Sequence, residues 1–220
     1  MTHDTDRARS YFDALAPEYN RAFDLTGRNP FSAFVNRFFR GRTFALRMRL
    51  LESLFARLGM TGRRVLDLGC GSGQVSLLAA SMGASVEGID IAPQMLRIAR
   101  ESAERAGVRD RVTFSEADIA VCPLPEADVV LVVGVVEYYR DFTPMVRRAA
   151  AAASKYLVIA HTSRVFYRMW IRRVMFAASR ASVYFHPMRD LIAVAEREGL
   201  TLTEERREHA FTIAVFERRG

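Results

Sequence analysis

Apolar residues recur along this chain in two rhythms. Up to about residue 60 they follow a helical spacing; beyond it, short runs rich in β-branched residues alternate with helical stretches. Five runs read as strands: Arg64–Leu68, Ser85–Asp90, Arg111–Ala117, Ala127–Val133 and Tyr156–Ala160. Helices are predicted between them at Gly73–Met82, Pro93–Ala106 and Phe142–Ala153. Such alternation implies parallel strands joined by right-handed crossovers, with helices on both faces of the sheet. A further helix is predicted at Met188–Glu198, closed by Gly199 as its C-cap residue. The last two runs, Thr201–Arg206 and Ala210–Glu217, lie too close for a helix between them, so they must pair as a hairpin. The expected fold class is α/β: a doubly wound, seven-stranded, mostly parallel sheet with an antiparallel last strand, plus N-terminal helices.

Two stretches add a second kind of pattern. From Arg42 to Leu58, Phe44, Met48, Leu51, Phe55 and Leu58 share one helical face, with Arg42, Arg49 and Arg57 on the other. From Arg164 to Arg180, Tyr167, Trp170, Ile171, Val174 and Ala178 oppose Arg168, Arg172, Arg173 and Arg180. Each stripe either packs on the sheet beneath a solvated arginine face, or serves as a lid over an apolar acceptor or a peripheral contact with anionic lipid. The domain reading is a helical cap over residues 1–60 and a sheet domain over 61–220, with an inserted helix at about 164–180.

Composition narrows the class. The 220 residues suit one domain, and 50% hydrophobic and 26% charged residues describe a globular chain. Net charge is +7, and of the 32 basic residues all but Lys155 are Arg, a field that concentrates anions. The longest apolar run, Val129 to Val136, is strand-sized and far short of a membrane span. The first ten residues are polar, which is not the pattern of a secretory signal. Two cysteines, Cys70 and Cys122, make neither a disulfide framework nor a metal cluster. A reducing cytoplasm is therefore expected.

The chemistry gathers where the first strand ends. Val65-Leu66-Asp67-Leu68-Gly69-Cys70-Gly71-Ser72-Gly73 is a strand running into a tight glycine turn, where backbone approaches a ligand without Cβ interference. The second strand ends in Asp90, a carboxylate placed to accept hydrogen bonds from both hydroxyls of a ribose. Together they predict a nucleoside site at the carboxyl edge of the sheet. The dinucleotide fingerprint G-x-G-x-x-G fits poorly, since Gln74 stands where its third glycine belongs. Asp67 also suits a neighbouring ammonium group better than a pyrophosphate.

The segment from Asp67 to Gly73 resembles the first motif of the class I S-adenosylmethionine-dependent methyltransferases, and three further segments resemble theirs in order. The resemblance implies a class I fold and S-adenosyl-L-methionine as cofactor, held by Asp67, Gly69, Cys70, Gly71 and Gly73, with Asp90 on the ribose and Ile91 on adenine. It places Asp118 and Ile119 by the adenine amino group, and Gly134 and Val135 beside methionine. Tyr11 and Tyr19, within and at the end of a segment resembling the family's N-terminal helix, are expected to close over the cofactor. Cys70 is read as a small filler.

On the acceptor side, Glu137 and Tyr138 after strand four and His161 after strand five are the candidate catalytic residues, His161 as a base. The sulfonium is already a good leaving group, so the protein's main task is to hold donor and acceptor in line. No strand-end cluster of acids suggests a metal site, and none is expected. The expected activity is O- or N-methylation of a small, apolar or anionic acceptor. Competing readings are nucleic-acid methylation, which lacks its own motif here, and a catalytically silent cofactor-binding protein. Oligomeric state is not readable from the chain.

Overall fold

The computed structural model describes residues 9–13, 42–162, 184–208 and 211–219. Helix α1 (Arg42–Leu58) precedes strand β1 (Arg64–Leu68), then come α2 (Gln74–Ser81), β2 (Ser85–Asp90), α3 (Pro93–Arg105) and β3 (Val112–Glu116). They are followed by β4 (Ala127–Val133), α4 (Thr143–Ala152), β5 (Ala153–Thr162), α5 (Met188–Arg197), β6 (Leu200–Glu208) and β7 (Phe211–Arg218). The sheet has seven strands in the order β3-β2-β1-β4-β5-β7-β6. Pairings from β3 through β5 are parallel, whereas β7 lies antiparallel between β5 and β6. The chain reverses its direction of strand addition between β1 and β4, so the carboxyl ends of those strands open a crevice.

Both faces of the sheet are covered, which is why β4 reads as an apolar run from Val129 onward. On one face Leu66, Val130, Val132, Leu157 and Ile159 pack under α4 and α5. On the other, Val65, Val129, Leu131 and Val158 pack under α1 and α2. Leu51 and Phe55 of α1 are fully buried there, with Met48 and Leu58 beside them, while Arg57 turns outward to Glu204 at 2.6 Å. The apolar stripe of α1 is thus a packing stripe. The corresponding stripe at 164–180 and the rest of the N-terminal cap lie outside the described residues, as does Tyr19.

Element limits differ from the sequence pattern where pairing extends a strand. Strand β5 begins at Ala153, paired with Ala127 across an irregularity, and runs on through His161 and Thr162 because β7 offers Thr212 and Phe211 as partners. Strand β6 continues to Glu208, its charged residues tolerated because it lies at the sheet edge. Gly199 takes φ 81° directly after the C-cap of α5, a left-handed position suited to glycine. Among the described residues, no helix is long and apolar enough to cross a membrane.

Candidate cofactor and acceptor site

Strand β1 enters the crevice at Asp67 and leaves through the glycine turn. The Gly69 and Cys70 amides both donate to the Ile89 carbonyl, at 2.7 and 3.1 Å, which ties the turn to the end of β2. Gly69 has φ 70°, and a Cβ there would lie 2.5 Å from Val135 Cγ2, so both conformation and space demand glycine. Gly71 has φ 54° but open space around it. Backbone can therefore meet a ligand at Gly71, whereas Gly69 is filled from behind by Val135. Gly73 serves the protein itself: it is the N-cap of α2, and a Cβ would strike Ala99 and Phe114. Cys70 packs in the same small cluster, against Phe114 and Leu96, as a filler does.

Asp90 closes the turn from the β2 side. One carboxylate oxygen accepts the Gly71 amide at 2.8 Å and the other the Ala92 amide at 2.9 Å. Each oxygen keeps a further lone pair for a hydroxyl. Burial pushes the Asp90 carboxyl above the usual carboxylate range, against the pull of these amides. Asp67 lies deeper, 2% exposed, and accepts the Ser76 hydroxyl at 2.6 Å. Burial, opposed by that hydrogen bond and reinforced by the charge of Asp90, raises it to about 6. A cation entering here would find two carboxylates that the protein desolvates at its own expense.

Asp118 stands after β3. Its Oδ1 accepts the Ala120 amide at 2.9 Å, and its buried Oδ2 has no hydrogen-bond partner among the described residues. A buried acceptor of that kind calls for a donor, and an exocyclic amino group supplies one. With Asp90 for a diol and Asp67 for an ammonium, the edge fits an adenosyl group that carries an amino acid. Ile91 is half-buried beside Asp90, whereas Ile119 turns into the core under α4.

Beyond β4, the Gly134 amide donates to the Ala160 carbonyl at 2.7 Å, and a 3-10 turn at Val136–Tyr138 follows. Glu137 is buried there. Tyr138 meets Phe12 edge-on at 5.1 Å, and Phe12 in turn packs on Ala92, Met95 and Ile98. Tyr11 lies next to Phe12, so the described N-terminal residues do reach the crevice. His161 is buried in β5, one residue beyond Ala160 and opposite Thr212.

Some residues at this edge carry little signal in the sequence. Arg47 sends its guanidinium to 3.5 Å from the point a Gly134 Cβ would occupy. That places a cation at the turn after β4, yet nothing in α1 marks Arg47 among its neighbouring arginines. Ser76 is hidden in an apolar helix, and Tyr184 and His186 reach the β4 loop from far along the chain.

Residues 65–157 match the family model of a methyltransferase domain. Among curated proteins, the ubiquinone biosynthesis O-methyltransferase of Xanthomonas axonopodis pv. citri is 37% identical over 102 residues, 46% of this chain and 43% of that protein. The enzyme of the same name from Xanthomonas campestris pv. campestris is 31% identical over 135 residues, 59% of this chain and 56% of that protein. The chain thus matches about half the length of these relatives. Among solved structures, magnesium protoporphyrin IX methyltransferase from Synechocystis with bound SAH superposes with a TM-score of 0.79 at 22% identity, covering 98% of this chain and 100% of that one. An O-methyltransferase family protein from Burkholderia thailandensis gives 0.67 at 20% identity, covering 85% and 57%. Residues 65–157 thus match a methyltransferase domain, and the chain shares the fold of these solved methyltransferases.

Proposed function

We propose that this chain is an S-adenosylmethionine-dependent O-methyltransferase acting on a hydroxyl group of a small aromatic molecule. The observation that carries the reading is the row of three carboxylates at the strand ends: Asp67 raised by burial, Asp90 anchored by the Gly71 and Ala92 amides, and Asp118 with an unanswered buried oxygen. These match an ammonium, a ribose diol and an adenine amino group in that order, with Arg47 for the carboxylate. When bound, the donor supplies an electrophilic methyl group on a sulfonium. The protein's own part is positional: holding the acceptor oxygen in line with that methyl is an effect of about 7–11 kcal/mol.

The acceptor side is aromatic. Phe12, Tyr138, Phe142 and Tyr184 contribute rings around the loop after β4, a surface suited to a planar ring. The relatives named for O-methylation support a hydroxyl as the acceptor group. Two free cysteines fit work in the cytoplasm. Titration calorimetry with S-adenosylmethionine, its demethylated product and NADH tests the donor, and transfer of a radiolabelled methyl group to catechols tests the acceptor. Binding of NADH without response to the methyl donor would sink the proposal.

A further inference from the structure

Residues 184–187 lead into α5 and lie along the loop that follows β4. The Tyr184 amide donates to the Glu137 carbonyl at 2.7 Å. Two residues on, Nε2 of His186 meets the Tyr139 carbonyl at 2.8 Å. Alternate residues thus face alternate residues as in a short strand pair, with an imidazole in place of the second amide. Two rings pack on the imidazole as well, Phe142 tilted against it at 4.6 Å and Tyr184 stacked at 6.4 Å.

A carbonyl oxygen only accepts, so Nε2 carries the hydrogen. In the neutral ring Nδ1 then presents a lone pair, and no described residue bonds to it. His186 is half-buried, so its ring keeps part of its surface open. Orientation through one ring nitrogen with the other left open is the arrangement by which an imidazole takes up a proton. Among the described residues, the facing loop brings two charged groups towards it: Asp141, whose carboxyl is held below the usual range by the Thr143 amide, and Arg140, which lies over the Tyr184 ring at 5.8 Å. On its own element, Arg189 and Asp190 pair with each other at 3.4 Å. His161 is on the same side of the sheet but buried in β5.

We propose that His186 is the proton acceptor of the transfer, a reading that rests on the O-methylation proposed above. As the acceptor oxygen forms its bond to the methyl carbon, the electron pair of the carbon–sulfur bond passes to sulfur. The hydroxyl proton goes to Nδ1 of His186 and from there to solvent.

The test compares wild type with His186→Gln, whose amide still donates to the Tyr139 carbonyl but is no base, on catechols of graded hydroxyl acidity. With the least acidic catechol, kcat should fall about 100-fold or more, the range for loss of a general base. The loss should shrink toward none as electron-withdrawing substituents make the base dispensable, while donor affinity by calorimetry is unchanged. An equal loss for every catechol would make His186 a positioning residue and overturn the proposal, as would full activity or no transfer to any catechol by a donor-binding wild type. Nitrogen-15 shifts of the wild-type imidazole, which need no variant to fold, should show the Nε2–H tautomer; an Nδ1–H tautomer also overturns it. Failure to bind the donor at all would instead defeat the underlying function.

Discussion

Asp67→Asn should make the donor-free protein more stable and the donor-binding site worse. Asp67 is 2% exposed and its carboxyl is raised from 3.8 to about 6, chiefly by burial. At 1.36 kcal/mol per pKa unit, that difference puts about 3 kcal/mol against its charged form at neutral pH. Because the folded pKa exceeds the unfolded one, the contribution of Asp67 to stability is complete below about pH 4 and is lost as pH rises through about 6. Asparagine keeps an oxygen for the Ser76 hydroxyl, which donates at 2.6 Å, and never ionises. In urea melts the variant and wild type should nearly coincide around pH 4 and diverge to about 2–3 kcal/mol above pH 7. At about 2–4 °C per kcal/mol, the melting temperature should rise by about 5–10 °C. Donor affinity should move the other way: a hydrogen bond to a charged group contributes about 1.5–3 kcal/mol, or about ten- to a hundredfold. An unchanged stability gap across this pH range, together with wild-type donor affinity, would refute the assignment of both burial cost and role.

Three further outcomes follow from the same edge. Asp90→Ala removes the partner of the Gly71 and Ala92 amides as well as the diol acceptor, so calorimetry should show donor affinity reduced at least about tenfold. Gly69→Ala drives a Cβ against Val135 Cγ2 at a φ of 70° and should cost about 1–3 kcal/mol in a denaturant melt. Adding Val135→Ala should recover the steric part alone, and no recovery would show that backbone conformation accounts for the whole. Arg47→Met keeps the packing stem but removes the charge, so affinity for S-adenosylmethionine should fall about tenfold or more while that for adenosine, which has no carboxylate, stays the same. An equal loss for both would place Arg47 elsewhere.

The alternation of β-branched runs and helical stretches was enough to recover seven strands along the chain and the closing hairpin, because burial on both faces leaves an apolar run in each central strand; that β7 inserts between β5 and β6 is seen only in the structure. It could not recover where β5 and β6 end: Ala153, His161 and Glu208 are strand residues by virtue of their partners, not their own preferences. The gathering of Asp67, Gly69, Gly71 and Asp90 at one sheet edge was legible for a different reason: they lie at strand ends and in a local turn, at fixed short distances in the chain. Arg47 and His186 reach the same edge from far away in sequence, and neither carries a local mark. Gly73 was expected to line the cofactor; what the structure shows there is a steric demand, since Ala99 and Phe114 leave no room for a Cβ.

The carboxylates also link stability to the work of the site. Burial is the largest cause raising both carboxyls; the charge of Asp90 adds to it at Asp67, and that of Asp13 at Asp90. A fold selected for stability alone would not keep two acids desolvated a few residues from a glycine turn, since an amide at Asp67 would still accept from Ser76 and carry no charge to desolvate. What the ionised pair provides is a negative field in a crevice, where low dielectric strengthens attraction to a cation. Any ligand that binds the folded chain and not the unfolded one stabilises it in proportion to the logarithm of its concentration over its Kd. A cationic donor therefore offsets the burial of Asp67 on arrival. On the function proposed above, a donor that loses its sulfonium charge with the methyl group would meet a weaker attraction from these carboxylates on leaving than on arrival.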